Sequence, residues 1–257
     1  MRRSVLFACV ILALTVVPAF SANIGPVKSG VADGETAFGL GYTFTDSKWE
    51  DTGSFSSLEL QQNRFFAQAG YGISDNWFGY ARGGLSTLKA DSAFLNVATD
   101  FEGENIFPFV SIGANGLFFE NEVLSIGGFV QGSYYLGENE DSVKTAPIIF
   151  DSIAQSIKET VTVDQMWEAR GGLELQMELE GAQLYCGPMY YISRADIEDK
   201  MVGAVSGVAT VSKTIEEEDN FGFVAGVQWN LLKDVTLDFE AQLRSSYDIG
   251  FVLNKRF

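Results

Sequence analysis

Histidine, the side chain whose ordinary pKa places its proton exchange near neutral pH, does not occur in this 257-residue sequence. Its absence removes Ser-His-Asp, Cys-His and Asp-His pairings of nucleophile and base together, along with the commonest zinc ligand. Two cysteines, Cys9 and Cys186, form no CxxC or CxxH pattern. Carboxylates remain in excess, with 34 acidic against 17 basic residues and a formal net charge of −17. A pair of carboxylates can cleave a glycosidic bond when held at a fixed separation, but no spacing here singles out a pair. The expectation is a protein without a catalytic centre, metal or cofactor. The acidic balance also argues against nucleic acid as a partner, since phosphate requires a basic footprint. The runs Glu138-Asn139-Glu140-Asp141 and Glu216-Glu217-Glu218-Asp219 lack the ligand order of a calcium loop and read as solvated loop charge.

The informative charges are those that alternate with apolar residues. Between Val161 and Met177 the odd positions are Val161, Val163, Gln165, Trp167, Ala169, Gly171, Leu173, Leu175 and Met177. The even positions include Asp164, Glu168, Arg170, Glu174 and Gln176. A second stretch sets Val235, Leu237, Phe239, Ala241 and Leu243 against Thr236, Asp238, Glu240, Gln242 and Arg244. Period-two alternation of this kind marks a strand with two unlike faces. The first stretch is far longer than the five or six residues usual in soluble sheets; a strand tilted across a membrane needs about nine to eleven. Glu168, Arg170, Glu174, Asp238, Glu240 and Arg244 are therefore predicted to line the inside of a barrel, with Arg64 and Arg82 beside them. Such charges serve either of two ends. They can line a narrow aqueous passage and bias which ions cross it, or they can pair across a filled lumen and seal it. Small barrels are filled by side chains, and open channels appear near sixteen strands.

Further strands with the same signature are predicted around 38–45, 60–73, 77–88, 106–119, 124–136, 182–193, 221–230 and 247–257. The total is about ten, with eight or twelve as alternatives, and bacterial barrels favour even numbers. Short connections (Ser74 to Asn76, Glu120 to Glu122, Glu178 to Gly181, Leu232 to Asp234) alternate with long ones at about 46–59, 89–105, 137–160 and 194–219. Only the last hairpin, turning near Ser245-Ser246, breaks the rhythm. Ile149, Ile153 and Ile157 recur every four residues after Pro147 and predict a short amphipathic helix over 147–158, placed as a plug, a membrane-surface foot or a rim element. Met201 to Val211 is predicted to extend a hairpin beyond the membrane. Trp77, Trp167, Trp229, Tyr42, Tyr71, Tyr80, Tyr134 and Tyr190 are candidates for interfacial girdles.

The N-terminus carries Arg2 and Arg3, an apolar run from Val5 to Val17, then Pro18 and Ala19-Phe20-Ser21-Ala22. This is the order of a secretory signal peptide, predicted over 1–21 with cleavage after Ser21 or one residue later. A retained anchor is the rival reading. The remaining chain, 22–257, is predicted to be one all-β domain, a single antiparallel up-and-down transmembrane barrel. Cys186, its one cysteine, alternates with Leu184 and Pro188 and is predicted to face lipid.

The chain ends Tyr247-Asp-Ile249-Gly-Phe251-Val-Leu253-Asn-Lys255-Arg-Phe257. A terminal Phe257 with apolar Leu253, Phe251, Ile249 and Tyr247 at alternate positions resembles the last strand of bacterial outer-membrane β-barrels, from which Lys255 departs. The segment from Gly181 to Pro188 and the strand–turn rhythm are similar to small barrels of the opacity-protein and porin-like group. The resemblance implies residence in the outer membrane of a Gram-negative cell and contact with outer-membrane lipid and lipopolysaccharide. It also implies handling by periplasmic chaperones and recognition of the last strand by the barrel-assembly machinery. Barrel enzymes of that membrane resemble one another in using a histidine base, which this chain lacks. The function expected is a structural or narrow porin-like role, passing ions or small solutes at most. The alternatives are a surface-binding barrel acting through its extracellular loops and a soluble lipocalin-type ligand carrier.

Overall fold

The computed structural model describes residues 24–51, 57–91, 93–94, 100–103, 105–144, 148–150, 153–203 and 207–257. The predicted signal segment lies outside them. The strands are β1 (Thr36–Asp51), β2 (Ser57–Ser74), β3 (Trp77–Asp91), β4 (Phe101–Glu102), β5 (Phe107–Glu120), β6 (Leu124–Tyr135), β7 (Asn139–Lys144) and β8 (Ile148–Phe150). They continue as β9 (Ile153–Gln155), β10 (Ile157–Leu179), β11 (Ala182–Gly203), β12 (Gly207–Glu217), β13 (Phe221–Leu232), β14 (Val235–Leu243) and β15 (Tyr247–Arg256). The ring β1-β2-β3-β5-β6-β10-β11-β13-β14-β15 closes when β15 pairs with β1, from Ala37 opposite Arg256 to Asp46 opposite Tyr247. All pairings are antiparallel, and the ten strands of the ring correspond one for one to those predicted. A closed ring leaves no sheet edge along its wall, so backbone N–H and C=O groups there are paired within the sheet.

The wall is inverted relative to a soluble protein. Outward side chains include Phe38, Leu40, Phe65, Ile112, Val130, Leu173 and Phe221, the last 77% exposed. Inward positions on the strands of the wall carry Thr43, Arg64, Gln68, Arg82, Ser111, Gln131, Glu168 and Asp238, all buried. Tyr71, Trp77 and Trp229 are exposed toward the short-turn end, and Tyr134 and Tyr190 toward the other. Tyr80 is a correction: it points inward, 4% exposed, and donates to Gln131. The alternation of β3 places it in register with Arg82 and Phe78 on the inner face.

The predicted long loops are largely strand. β1 and β2 continue the pairing as far as Glu50 opposite Ser57, and β10, β11 and β12 pair well above the lipid-facing belt, from Arg194 opposite Glu216 to Gly203 opposite Gly207. The hairpin expected over 201–211 is thus present and longer. β14 and β15 turn early, through Arg244 to Ser246, and β12 bends across the space above them to pair with the end of β1, Trp49 opposite Glu217. The short last hairpin is thereby covered. Residues 147, 151 and 152 of the helix expected over 147–158 lie outside the described residues, and the described ones are not helical: Ile148–Phe150 and Ile153–Gln155 pair antiparallel, and Ile157 opens β10. Short apolar runs rich in β-branched residues fit either period, and strand pairing decides between them.

One bulge reverses the apolar face. The pairing of β10 with β11 shifts between Asp164 and Trp167, and Gln165 there adopts φ 48°. Below the bulge, Trp167, Ala169, Leu173 and Leu175 face outward and Glu168, Arg170 and Glu174 inward. Above it Val161 and Val163, expected on the outer face, are 1% and 2% exposed and point inward. The extra residue makes two positions oppose one and shifts every residue beyond it to the other face. The upper interior is consequently an apolar core, containing Trp49, Leu60, Leu88, Phe101, Phe107, Val161, Val163, Met166 and Ile215. Water outside selects apolar residues inside, and lipid outside selects the opposite; Gln165 marks the boundary on this strand. Deleting Gln165 is expected to turn Val161 and Val163 outward and destabilise the upper sheet by several kcal/mol, since two buried branched side chains each contribute about 1.5–3 kcal/mol. Rapid proteolysis within 157–164, with strand content in the belt retained by circular dichroism, is the expected result.

Candidate functional site: the barrel lumen

All eight charged residues predicted for the inner face project into the barrel: seven are buried outright, and the side chain of Arg244 is 2% exposed. The structure also shows how they are grouped. In the upper half of the belt Arg64 (β2), Arg170 (β10) and Arg244 (after β14) meet Glu168 (β10), Glu217 (end of β12) and Asp248 (β15). Arg64 Nη1 donates to Glu168 Oε1 at 2.6 Å and to Tyr135 Oη at 2.9 Å, and its Nη2 donates to Thr45 at 2.7 Å. Arg170 Nη2 lies 2.6 Å from Glu168 Oε1, and its Nη1 reaches Gln242 Oε1 at 2.8 Å and Asp248 Oδ2 at 3.4 Å. Arg244 contacts Asp248 Oδ2 at 2.9 Å through Nη1, Ser193 Oγ at 2.8 Å, and both oxygens of Glu217. Its guanidinium also stacks 4.4 Å from the ring of Tyr191. Three cations and three carboxylates from four strands and one turn thus neutralise one another across the lumen. None of these side chains is more than 6% exposed.

Two members of this cluster escaped the sequence reading. Asp248 alternates with Tyr247 and Ile249, so its inward direction was legible from the terminal strand. Glu217 sits in the acidic run expected to be solvated. It is instead 3% exposed and accepts from Ser193, Arg244 and Ser245. The bend of β12 toward β1 carries it inward, and no local pattern signals that bend. Its neighbour Glu216 does lie at the surface, paired with Arg194.

Arg82 occupies a separate polar layer below, donating to Gln68 at 2.7 Å and Gln131 at 3.2 Å, with its guanidinium over the rings of Tyr80 and Phe66. Inward glycines make space for these rings: a Cβ at Gly113 would fall 2.4 Å from Tyr80, and one at Gly226 would fall 2.3 Å from Tyr185.

The short-turn end is filled by the chain preceding β1. Residues 24–35 form a strap that enters the lumen, with Ile24 and Val27 each 2% exposed. Glu240 accepts the backbone N–H of Ile24 at 2.9 and 2.8 Å and that of Gly25 at 2.8 Å, together with Tyr185 Oη at 2.8 Å. Asn115 Nδ2 lies 3.1–3.2 Å from the carbonyls of Ile24, Gly25 and Pro26. At the rim Lys28 Nζ bridges Glu120 at 2.6 Å and Glu178 at 2.9 Å, while Gln176 accepts the Lys28 N–H. The strap then pairs with the wall where Gly34 donates to Gly72 and Gly72 to Glu35. A Cβ at Gly72 would collide with the Ala32 carbonyl at 1.9 Å, so close approach requires glycine there. Asp238 accepts from Asn254 at 2.6 Å.

From the short-turn end upward, the interior therefore holds the strap, an amide–arginine layer, the ion cluster and an apolar core. Among the described residues no group of three or more His, Cys, Asp or Glu is arranged to hold a metal ion. This arrangement defines the class: an all-β, antiparallel, ten-stranded transmembrane barrel with a packed interior. No protein-family model matches the sequence, and no curated protein is similar to it in sequence. Among solved structures the chain is similar to the translocator domain of autotransporter NalP from Neisseria meningitidis, at 10% identity, with a TM-score of 0.48 and 90% of each chain covered. It is also similar to the outer membrane protease OmpT from Escherichia coli, at 11% identity and a TM-score of 0.47, covering 87% of this chain and 93% of that one. An outer membrane channel from Pseudomonas putida F1 matches at 11% identity and a TM-score of 0.38, covering 92% and 100%. These likenesses assign no activity.

Two measurements probe the interior. Replacing Arg170 by Ala leaves Glu168 and Asp248 each short of a cation in a buried site, and breaking a buried pair in this way costs about 3–5 kcal/mol. The denaturant midpoint of the refolded barrel is expected to fall accordingly, and an unchanged midpoint would contradict the network. The second concerns Asp199, in the sheet beyond the lipid-facing belt. Burial first, and then the charge of Glu159 on β10, push its carboxyl up from 3.8 to about 6, with Lys213 on β12 opposing. A raised carboxyl pKa means that the folded sheet binds more protons than the unfolded one between about pH 4 and 6. Its stability then increases as pH falls through 6 and is lower at pH 8. Amide exchange in 194–203, corrected for intrinsic rates, is expected to slow at pH 5 relative to pH 8, and Asp199→Asn is expected to remove most of that difference.

Proposed function

We propose that this chain is an integral outer-membrane barrel with a sealed lumen, a structural scaffold whose exposed part is the sheet β7-β10-β11-β12 and the connections around it. The observation that carries the reading is the buried cluster of Arg64, Arg170 and Arg244 with Glu168, Glu217 and Asp248. It spans the lumen between the strap on one side and the apolar core on the other. Ion passage would require water around these charges, yet they pair with one another. The seal favours the structural alternative over the porin-like one.

Outer-membrane residence is supported by the apolar outer belt and the closed wall, which only lipid outside explains. In that membrane the short-turn end faces the periplasm and the long sheet faces outward. Lipid and the acyl chains of lipopolysaccharide would contact Phe38, Leu40, Phe65 and Ile112. β15, with Tyr247, Ile249, Phe251, Leu253 and Phe257, would be the strand handled by the barrel-assembly machinery after delivery by periplasmic chaperones. The lack of histidine supports a role without catalysis.

The surface-binding alternative draws on one feature. β10 and β11 are 23 and 22 residues long, roughly twice what a tilted membrane strand needs, so about half of each stands clear of the belt as rigid sheet. The test is conductance in a planar bilayer with the refolded barrel. No stepwise current is expected from the native protein, whereas a stable unitary current would sink the sealed reading and restore a passage lined by Glu168, Arg170 and Glu174.

A further inference from the structure

We propose that the open edge of β12, from Gly207 to Ser212, is a docking edge for an extended peptide segment of another protein, one with β-branched residues at the tip of the sheet and lysine or arginine nearer the membrane. The inference rests on the surface-binding alternative, in which this sheet stands in water.

The two outer strands of the sheet β7-β10-β11-β12 are finished differently. β7 is protected. It carries Glu140, Asp141 and Lys144, and its far side is tied to β4 and the segment after it. Asp141 Oδ2 accepts the Glu102 N–H at 2.8 Å, and Asn139 exchanges bonds with the backbone of Asn105. β12 has no such cover. Residues 207–212 pair with β11, from Gly203 opposite Gly207 to Glu198 opposite Ser212, and β1 joins the other side only at Ile215 to Glu217. Among the described residues no strand pairs with 207–212 on that side. Both faces of the strand are open as well, with Val208 63% and Val211 38% exposed. The stretch Gly207-Val-Ala-Thr-Val-Ser212 holds neither charge nor proline, the usual means by which an edge is kept from pairing. Its valines and threonine favour extended backbone. A row of open N–H and C=O groups on a rigid sheet is the feature that strand addition uses, with main-chain bonds giving affinity and alternate side chains giving specificity.

The register selects the partner. From the tip toward the belt, one face sets Val202 beside Val208, Lys200 beside Thr210, Glu198 beside Ser212 and Asp196 beside Thr214. Glu216 follows, between Arg194 and Glu50. An added strand would lie about 5 Å from β12 and about 10 Å from β11. A lysine or arginine on it would therefore reach Glu198 and Asp196 across the short side chains of Ser212 and Thr214, while an apolar residue would meet Val208 and Val202 at the tip. A second copy of the chain is the poorer occupant. Barrels side by side in one membrane would bring Glu198, Asp196 and Glu50 of both to the same height, in a chain of formal net charge −17.

The experiment uses the full barrel in lipid nanodiscs and a short synthetic peptide of alternating valine and threonine. Two lysines lead the peptide, so that antiparallel pairing sets them beside Ser212 and Thr214. Saturable binding by fluorescence anisotropy is expected, about tenfold tighter than for the same peptide led by two glutamates. Amide exchange read by NMR is expected to slow by about tenfold at alternate residues of 207–212 and to stay unchanged in β7. Val208→Lys is expected to weaken binding, and Glu50→Gln together with Glu198→Gln to remove most of the preference for lysine; all three side chains are exposed, so the barrel is retained. Absence of saturable binding would overturn the proposal. So would equal binding of a peptide interrupted by a central proline, or binding that leaves exchange in 207–212 unchanged. Before peptide is added, a water-soluble paramagnetic agent is expected to broaden the signals of 207–212. Broadening by a lipid-soluble agent instead would defeat the reading of the sheet as standing in water, whereas water-exposed residues that ignore the peptide defeat only the docking edge.

Discussion

Three arginines and three carboxylates neutralise one another inside a wall whose outer surface is apolar, and the remaining layers of the interior are arranged around that cluster. In lipid the wall cannot turn its polar side chains outward, so each inward strand delivers them to a shared interior where water is scarce. A charge there is tolerable only with a partner and with hydrogen bonds to its remaining donors or lone pairs. Thr45, Tyr135, Ser193 and Gln242 supply several of those bonds, while Arg64 Nε and Asp248 Oδ1 are left without a hydrogen-bond partner. The price of the arrangement is sensitivity: its members come from β2, β10, β12, β15 and the turn after β14, so the cluster exists only when the ring has closed.

The same rule of matching interior to exterior explains the change of character along the barrel axis. Within the belt the wall is apolar outside and polar inside. Above it, water lies outside, and Trp49, Leu60, Leu88 and Ile215 gather inside. Most strands make the change by composition, as β2 does from Gln68, Arg64 and Gln62 to Leu60 on one inward face. β10 makes it by geometry, through the bulge at Gln165. At the opposite end the strap does what a longer turn could not, bringing backbone N–H groups to Glu240 and a bridging lysine to two acidic turns.

Function in such a molecule divides between a stable interior and an exposed sheet. The interior contains charge of both signs, paired across the lumen. The exposed sheet is continuous with the wall through β10 and β11, so it is held rigidly at the surface rather than on loose loops.

The sequence by itself determined the ten strands, their inward and outward faces and the alternation of short and long connections, because lipid on one side and a shared interior on the other impose period two on every strand. Even the inward direction of Asp248 was written in its neighbours. Four things were decided only in three dimensions. The pairing of Arg64 with Glu168 joins residues 104 apart, and nothing local records which inward charges meet. The inversion at Gln165 depends on one extra residue in a run whose spacing otherwise stays regular. The burial of Glu217 follows from β12 bending over a hairpin that ends early, and the fate of residues 148–155 from pairing that overrode a helical spacing. Period is a property of one strand and its solvent; partners, bulges and bends are properties of strands brought together, and appear only when the ring is closed.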